Sequence, residues 1–204
     1  MDILPPVSQR WTQKGGETVS DDAQRARVAT LEAFADTVIP GEKRWPGDRA
    51  VAGVSDGGGA VAAGALALLE LPEVGLAAGL AGLAALLDER AAWYATEHGL
   101  AHDPSVPPFV ALPYDDRVEL VRRVTAPGHP AKDLWVGLAV FCTMAFDAAA
   151  HLHTTDAIAA DHPGLATIGF RPPEADGVWR FPRYSYQRPL ADQHPDTTPS
   201  GSPA

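Results

Sequence analysis

The chain has 204 residues, which is enough for one large domain and too few for two comfortable ones. Hydrophobic residues make up 46% of the sequence and charged residues 21%, an ordinary balance for a folded domain, and the formal net charge is −10. This charge argues against nucleic acids and anionic membranes as partners, because both would be repelled.

The sequence contains a single cysteine, Cys142, so an internal disulfide is impossible. Its place inside the apolar run Leu134–Phe146 predicts a small buried side chain rather than a reactive thiol. The first residues show neither a basic start followed by an apolar stretch nor a pair of arginines, and the longest charge-free apolar runs are shorter than the ~20 residues that span a bilayer. We therefore expect no membrane span and a cytoplasmic location.

The first predicted helix follows an irregular arm over residues 1–19. Ser20 and the two aspartates after it are typical of a helix start, because the hydroxyl caps backbone N–H groups and the acids lie at the positive end of the helix dipole. Apolar residues then recur at helical spacing until Pro40-Gly41 ends the helix. The charged stretch Gly41–Val54 contains a Pro-Gly pair and predicts a long loop, and loops of this length are often functional.

The middle of the sequence predicts two helices that follow one another closely. Ser55-Asp56 is a capping pair for a second helix that runs to about Leu71. Pro72 then begins a third helix over about Glu73–His98, and Gly99 closes it as a C-cap. Three glycines inside this third helix each cost about 1 kcal/mol relative to alanine, so we expect them to allow close approach of another helix; they are Gly75, Gly79 and Gly82.

A central helix dominates the second half of the sequence. After a Pro-rich connection over 99–112, Pro113–Val124 is predicted to form a short amphipathic helix with acids in its first turn and arginines in its last. The central helix follows at about Ala131–His153. Its stretch Leu134–Phe146 is apolar on every side, so we expect it to lie inside the protein under the first and third helices. A short helix near Thr155–Ala160 follows.

Together these elements predict an all-α fold, an irregular bundle of about five helices around a buried central helix. The single domain is expected to span residues 20–190. Helical periodicity is lost over 165–190, which we interpret as an extended segment that wraps across a surface. The polar, Pro-rich residues 191–204 are interpreted as a disordered tail.

One candidate site lies at the end of the central helix. Asp147 and His151 are four residues apart, so on a continuous helix they share a face, and His153 joins them only if the helix ends before it. Aspartate and histidine in this arrangement are candidates for binding a divalent metal or for moving protons. The competing interpretation is structural, with an Asp–His hydrogen bond and histidines that cap backbone carbonyls.

A second candidate site is the segment in which aromatic and basic residues alternate near the C-terminus. Tyr, Trp and Arg dominate the hot spots of protein–protein interfaces, so this segment is a candidate partner interface. The alternative is that it wraps its own domain. The interface candidates are Phe170, Arg171, Trp179, Arg180, Phe181, Tyr184 and Tyr186.

The stretch LEAFADTVIPGEKRWPGDRAVAGV, Leu31–Val54, resembles the small subunit 3 proteins of the gluconate 2-dehydrogenase type. The shared pattern is a helix that ends in Ala35–Gly41, then a Pro-Gly loop, then Ala52-Gly53-Val54 before the next helix. The resemblance implies a helical accessory subunit that holds no cofactor itself. Its partner would be a large flavin-dependent oxidoreductase of the glucose-methanol-choline type, which carries the FAD and which the small subunit helps to assemble, stabilise or export.

Members of that family commonly carry a twin-arginine export signal, and this sequence shows none. The resemblance therefore implies a cytoplasmic pairing with a flavin oxidoreductase that acts on a sugar or an alcohol. Two other functions stay open. One is a stand-alone metal-binding or acid–base enzyme that uses Asp147, His151 and His153, and the other is a homo-oligomeric helical protein without a redox partner.

Overall fold

The computed structural model describes residues 21–170 and Ala175, and the other residues lie outside the described part of the chain. The predicted arm 1–19, the capping Ser20, most of the segment 165–190 and the tail 191–204 therefore lie outside it. The chain divides into two compact units, Met1–Ile168 and Gly169–Ala204. All the helices described below belong to the first unit.

The described residues contain eight α-helices and no β-strand, so the predicted all-α fold is confirmed. The short helices α4 and α8 were not predicted, because helices of four or five residues show no periodicity in the sequence. In the described part of the chain, no helix is long and apolar enough to cross a membrane. The helices are α1 Asp21–Val38, α2 Ala65–Glu70, α3 Leu80–Glu97, α4 Pro108–Ala111, α5 Tyr114–Thr125, α6 Lys132–Ala148, α7 Thr154–Ala159 and α8 Pro163–Thr167.

Helix α1 is the element around which the others pack. It contacts α2, α3, α4, α5 and α6, and residues 33–37 are buried all round the helix. Leu31 and Phe34 are fully buried on it, and the Phe34 ring lies 6.1 Å from the ring of Trp135 on α6. The centre of the bundle is therefore the C-terminal half of the first helix.

Helix α6 is less enclosed than predicted. Its main neighbours are α1, α2, α5 and α8, so of the two helices predicted to cover it the first does and the third is not a main neighbour. It buries a stripe on one face and exposes apolar residues on another, so the expectation of burial on every side was wrong. The buried residues are Trp135, Leu138, Cys142 and Ala145, and the exposed apolar residues are Val136, Val140 and Met144.

The side chain of Cys142 is fully buried in α6, as predicted, and its thiol is free. Burial raises the pKa of this thiol to about 12. Because the thiolate is the reactive form, Cys142 is a packing residue at neutral pH.

The second and third helices begin later than predicted. Helix α2 begins at Ala65, after Gly64 in the left-handed conformation with φ 84°, and not at Ser55-Asp56. Pro72 begins a 3₁₀ turn that ends at Gly75, and a second 3₁₀ turn precedes α3, which begins only at Leu80. The positive-φ Gly75 thus interrupts the long third helix that the sequence predicted to begin at Pro72.

The predicted role of the glycines in the third helix was wrong for Gly75 and Gly82. Gly75 is exposed, has φ 72°, and would meet nothing within 4 Å if it carried a methyl group, while Gly82 is exposed on α3. Gly99 does close the helix as predicted, with φ 63°. Its N–H donates to the Thr96 carbonyl at 3.3 Å and the next N–H, of Leu100, donates to the carbonyl of Ala95 at 2.9 Å, which is a Schellman motif.

Close approach of two backbones occurs instead where the chain leaves α1. The Ala60 N–H donates to the Ile39 carbonyl at 3.0 Å, and the Glu42 N–H donates to the Gly57 carbonyl at 2.9 Å. A methyl group at Gly59 would lie 2.5 Å from the Ile39 oxygen, and one at Gly41 would overlap the backbone nitrogen of Gly59. Only glycines fit at these two positions.

Replacing Gly59 by alanine is expected to lower the free energy of unfolding by about 2 kcal/mol, because the backbone of residues 39–41 cannot move aside without breaking this pairing. Gly57→Ala is the matched control from the same Gly-Gly-Gly triplet, since a methyl group there meets nothing within 4 Å. Urea unfolding followed by circular dichroism measures both variants. Equal stability of the two would contradict the close packing at Gly59.

Candidate functional site

The loop over residues 41–54, here called the 41–54 loop, is attached to α1 by the carboxylate of Asp36. This side chain is 1% exposed. Its Oδ1 accepts the N–H of Gly41 at 3.0 Å, and its Oδ2 accepts the N–H of Ala52 at 2.8 Å. Burial raises the pKa of Asp36, and the two N–H donors and the Arg117 charge act in the opposite direction. One side chain therefore holds both ends of the loop.

Arg117, in the first half of α5, attaches the same loop to the region around α4. Its side chain is 4% exposed and donates only to backbone carbonyls. On the loop side the acceptors are Arg49 at 3.0 Å and Ala50 at 2.8 Å, and on the other side they are Val110 at 2.7 Å and Leu112 at 3.0 Å. Burial lowers the pKa of Arg117, whereas the charge of Asp36 raises it.

Asp48 and Arg44 fix the inside of the loop. The buried Asp48 carboxylate accepts the Nε–H of Arg44 at 2.8 Å and the N–H groups of Ala50 at 3.2 Å and Val51 at 3.3 Å. Burial by itself raises the pKa of Asp48, but Arg44 and the backbone donors together hold it below its ordinary value. Arg44 also makes a bidentate pair with Glu32 on α1, with both N···O distances at 2.6 Å.

The arginine that these carboxylates hold lies over an exposed tryptophan. Trp45 is 52% exposed, and the guanidinium carbon of Arg44 lies 4.6 Å from the centre of its ring. Arg44 cannot move freely because three of its nitrogens bond to Glu32 and Asp48. The loop thus presents a large aromatic side chain and a cation at its surface in one defined arrangement, the residue combination that is enriched at interface hot spots.

The residues predicted at the end of the central helix are not brought onto one helical face. Helix α6 ends at Ala148, and Ala149 takes the left-handed conformation with φ 48°, so the chain turns before His151. The shared face of Asp147 and His151 was therefore a wrong prediction. Asp147 lies exposed on the last turn of α6. No group of three or more His, Cys, Asp or Glu side chains within the described residues is placed to hold a metal ion.

Two histidines after α6, His153 and His162, cap helix starts, and His162 also donates to a backbone carbonyl, as the structural interpretation expected. His153 precedes α7, where its Nδ1 lies 2.8 Å from Thr155 Oγ1 and accepts the Thr155 N–H at 3.4 Å. His162 precedes α8 and accepts the N–H of Leu165 at 3.4 Å. Each imidazole thus takes the place that Ser or Asp fills at most helix starts.

His151 lies against α2 instead of the predicted site. Its ring packs on the backbone of Gly64, where a methyl group would overlap it, and its centre is 6.0 Å from that of the buried His162 ring. His162 Nε2 lies 3.0 Å from the Ala63 carbonyl, so this nitrogen carries the proton and donates. His151 Nδ1 is buried without a hydrogen-bond partner. Burial, and secondarily His162, lowers the pKa of His151.

Of the seven predicted interface residues near the C-terminus, only Phe170 lies in the described part of the chain, and its side chain is exposed. The other six, Arg171, Trp179, Arg180, Phe181, Tyr184 and Tyr186, lie outside the described residues. The interface hypothesis for this segment stays a prediction.

The fold and the site define a helical protein whose buried charged side chains hold an irregular surface loop. The sequence profile of one protein family matches residues 25–204. The chain belongs to this family, DUF5987, which is described as a family of unknown function. No curated protein and no solved structure matched the chain.

Replacing Asp36 by alanine is expected to reduce the free energy of unfolding by about 2–4 kcal/mol, because it leaves the buried N–H groups of the loop ends without an acceptor. Asp36→Asn keeps the volume and one acceptor oxygen and should lose less. Glu42→Ala, at an exposed position of the same loop, is the control and should change stability by less than about 0.5 kcal/mol. If urea unfolding gave Asp36→Ala the stability of this control, the attachment of the loop would not be structural.

The lowered pKa of His151 predicts a dependence of stability on pH. The unfolded chain takes up this proton near the ordinary pKa of 6.5, above the folded one, so the contribution of His151 is fully present above that pH and decreases as the pH falls through it. His151→Gln should therefore lose less Tm than the wild type between pH 7.5 and pH 5.5. Burial also lowers the pKa of His129, so that contribution remains in both proteins. His102→Gln, at an exposed position, is the control. If His151→Gln lost as much Tm as the wild type between pH 7.5 and pH 5.5, the prediction would be contradicted.

Proposed function

We propose that this chain is a non-catalytic accessory subunit that binds a flavin-dependent sugar or alcohol oxidoreductase and stabilises or matures it, and that the 41–54 loop is part of the contact. The FAD belongs to the partner in this proposal. The observation that supports it is the rigid presentation of Trp45 by a loop that the chain shares, as a sequence pattern, with the small subunits of the gluconate 2-dehydrogenase type.

The residues that carry this sequence pattern are the residues that hold the loop. Asp36 belongs to the ADTVIPG stretch, and its two acceptor oxygens bond to Gly41, at the end of that stretch, and to Ala52, in the Ala-Gly-Val group that closes the pattern. Gly41 also makes the close backbone contact with Gly59. The resemblance therefore falls on residues that hold the 41–54 loop in this protein.

The loop has the physical properties of a binding surface. Its backbone is held by three buried charged side chains, so little conformational entropy is lost when a partner binds it. The exposed Trp45 offers a large apolar surface, and the neighbouring Arg44 is already desolvated in part by Glu32.

The test is co-expression of the full chain, tagged, with the flavin-dependent oxidoreductase encoded nearest to its gene. We expect the tag to retain a protein with flavin absorbance, and Trp45→Ala to reduce this retention at least about tenfold, as hot-spot tryptophans do. Trp93→Ala, which removes a tryptophan that is at least as exposed but lies on α3, is the control. Absence of any retained flavoprotein would contradict the function. Retention that Trp45→Ala leaves unchanged would contradict only the role of the loop.

A further inference from the structure

A second surface of the protein is the exposed side of α6, which no described element covers. Asp133, Gly137, Val140, Met144 and Asp147 lie within about 40° of one line along this helix, and Val136 lies beside it. Val136, Val140 and Met144 are 37%, 49% and 39% exposed. We call these residues the α6 stripe. The stripe is about four turns long, with an apolar middle of about two turns, Val136–Met144, and one carboxylate at each end.

A groove runs beside the α6 stripe, between α6 and the segment that precedes and begins α3. It has a volume of about 150 Å³ and is lined by apolar side chains that include Leu76, Leu83, Leu134 and Phe141. Apolar cavities of about this volume are large enough to hold a benzene ring. The groove therefore has room for one aromatic or branched aliphatic side chain of a bound molecule.

The two carboxylates of the α6 stripe have no partner within residues 21–170. No hydrogen bond or ion pair engages the side chain of Asp133 or Asp147 there, and Lys132 lies about 100° around the helix from Asp133. Both carboxylates are exposed, and they are separated by 14 residues, or roughly 21 Å along the helix. Unpaired carboxylates at this spacing fit positive charges on a partner.

The charge of the protein argues against a second copy of the chain as the occupant. Residues 21–170 contain 20 Asp and Glu against 10 Lys and Arg, so this part of the chain carries the entire net charge of −10. If two α6 stripes packed in antiparallel orientation, Asp133 of each copy would lie opposite Asp147 of the other, and in parallel orientation each would face its own equivalent. Like charges meet in both arrangements, which is unfavourable.

We propose that the α6 stripe and its groove bind an amphipathic helical segment of another protein, with an apolar face about two turns long and basic residues about four turns apart at its two ends. One apolar side chain of the segment enters the groove, its remaining apolar face covers Val140 and Met144, and its basic ends pair with Asp133 and Asp147. This is the helix-in-groove mode of recognition. It does not depend on the proposed flavoprotein, because the surface and the probe below are separate from the 41–54 loop and from any flavin.

The probe is a synthetic, fluorescently labelled peptide of about 20 residues, with leucines at helical spacing, one central phenylalanine and a lysine pair at each end. Fluorescence anisotropy with the full chain is expected to show saturable binding that weakens as salt is added. The same peptide with glutamates in place of the lysines is expected not to bind. Equal binding of the two peptides would overturn the role of charge and with it the proposal.

Variants of the protein then locate the site. The double variant Val140→Gln/Met144→Gln leaves the charge unchanged and is expected to weaken binding of the lysine peptide at least about tenfold. Asp133→Asn/Asp147→Asn should weaken it about fivefold, the effect of two exposed ion pairs. The control for the apolar variant is Ile168→Gln, at an exposed apolar position outside both surfaces. The control for the charge variant is Asp56→Asn/Asp156→Asn, which removes the same charge elsewhere; Asp156, like Asp133, lies in the first turn of its helix.

Circular dichroism confirms folding, which these exposed substitutions should not disturb. Wild-type affinity in Val140→Gln/Met144→Gln, or losses no larger than those of the controls, would overturn the proposal. Light scattering on the free chain tests the other occupant. A dimer that Val140→Gln/Met144→Gln dissociates would show that a second copy covers the stripe, and the proposed partner would be wrong.

Discussion

The arrangement of the loop side of this protein depends on one buried carboxylate on α1. Asp36 lies at the point where the helix ends and the chain must turn, and it satisfies an N–H group at each end of a loop that has no regular structure of its own. Its raised pKa shows that burial is unfavourable for the charge, and the hydrogen bonds to the loop offset that cost. Without this acceptor, two backbone donors would be buried and unsatisfied next to the core.

Buried charges in this molecule mostly serve the backbone rather than one another. Asp36 and Asp48 accept loop N–H groups, and Arg117 donates to four carbonyls in the loop and around α4. Segments outside helices cannot satisfy all of their own N–H and C=O groups, so Asp36 and Arg117 from the neighbouring helices and Asp48 from the loop supply the partners. The peptide groups named above are therefore hydrogen-bonded where the loop lies against α1 and α5.

The sequence predicted the helices and caps whose formation depends mainly on neighbouring residues. Apolar spacing and charge predicted the first helix and the helix at residues 113–124, and a glycine predicted the cap at Gly99. The structure has all three within a few residues. The end of α6 was missed because Ala149 adopts a left-handed conformation that alanine rarely takes, so no residue type signals it. The roles of Gly75 and Gly82 were misjudged because exposure is a property of the packed structure.

The candidate site could be predicted only in part for a similar reason. The sequence pattern contained Asp36 and Gly41, but nothing in it showed that Asp36 would bond to Ala52, 16 residues away, or that Gly41 would lie against Gly59. Arg117 was missed because an arginine in an amphipathic helix with other charges nearby is normally solvated. Its burial depends on carbonyl groups from residues 49 and 50, which only the folded chain brings to it.

The hydrogen bonds from Asp36 and Arg117 fix the backbone of the 41–54 loop without engaging its side chains. Asp36 and Arg117 bond to the peptide groups of Gly41, Arg49, Ala50 and Ala52, so they recognise the path of the backbone and not the side chains that project from it. Side chains such as those of Trp45 and Arg49 can therefore diverge between relatives while the loop keeps its form. Under the proposed function, relatives can present different side chains on the same backbone frame, and that frame is suited to carrying grafted recognition sequences.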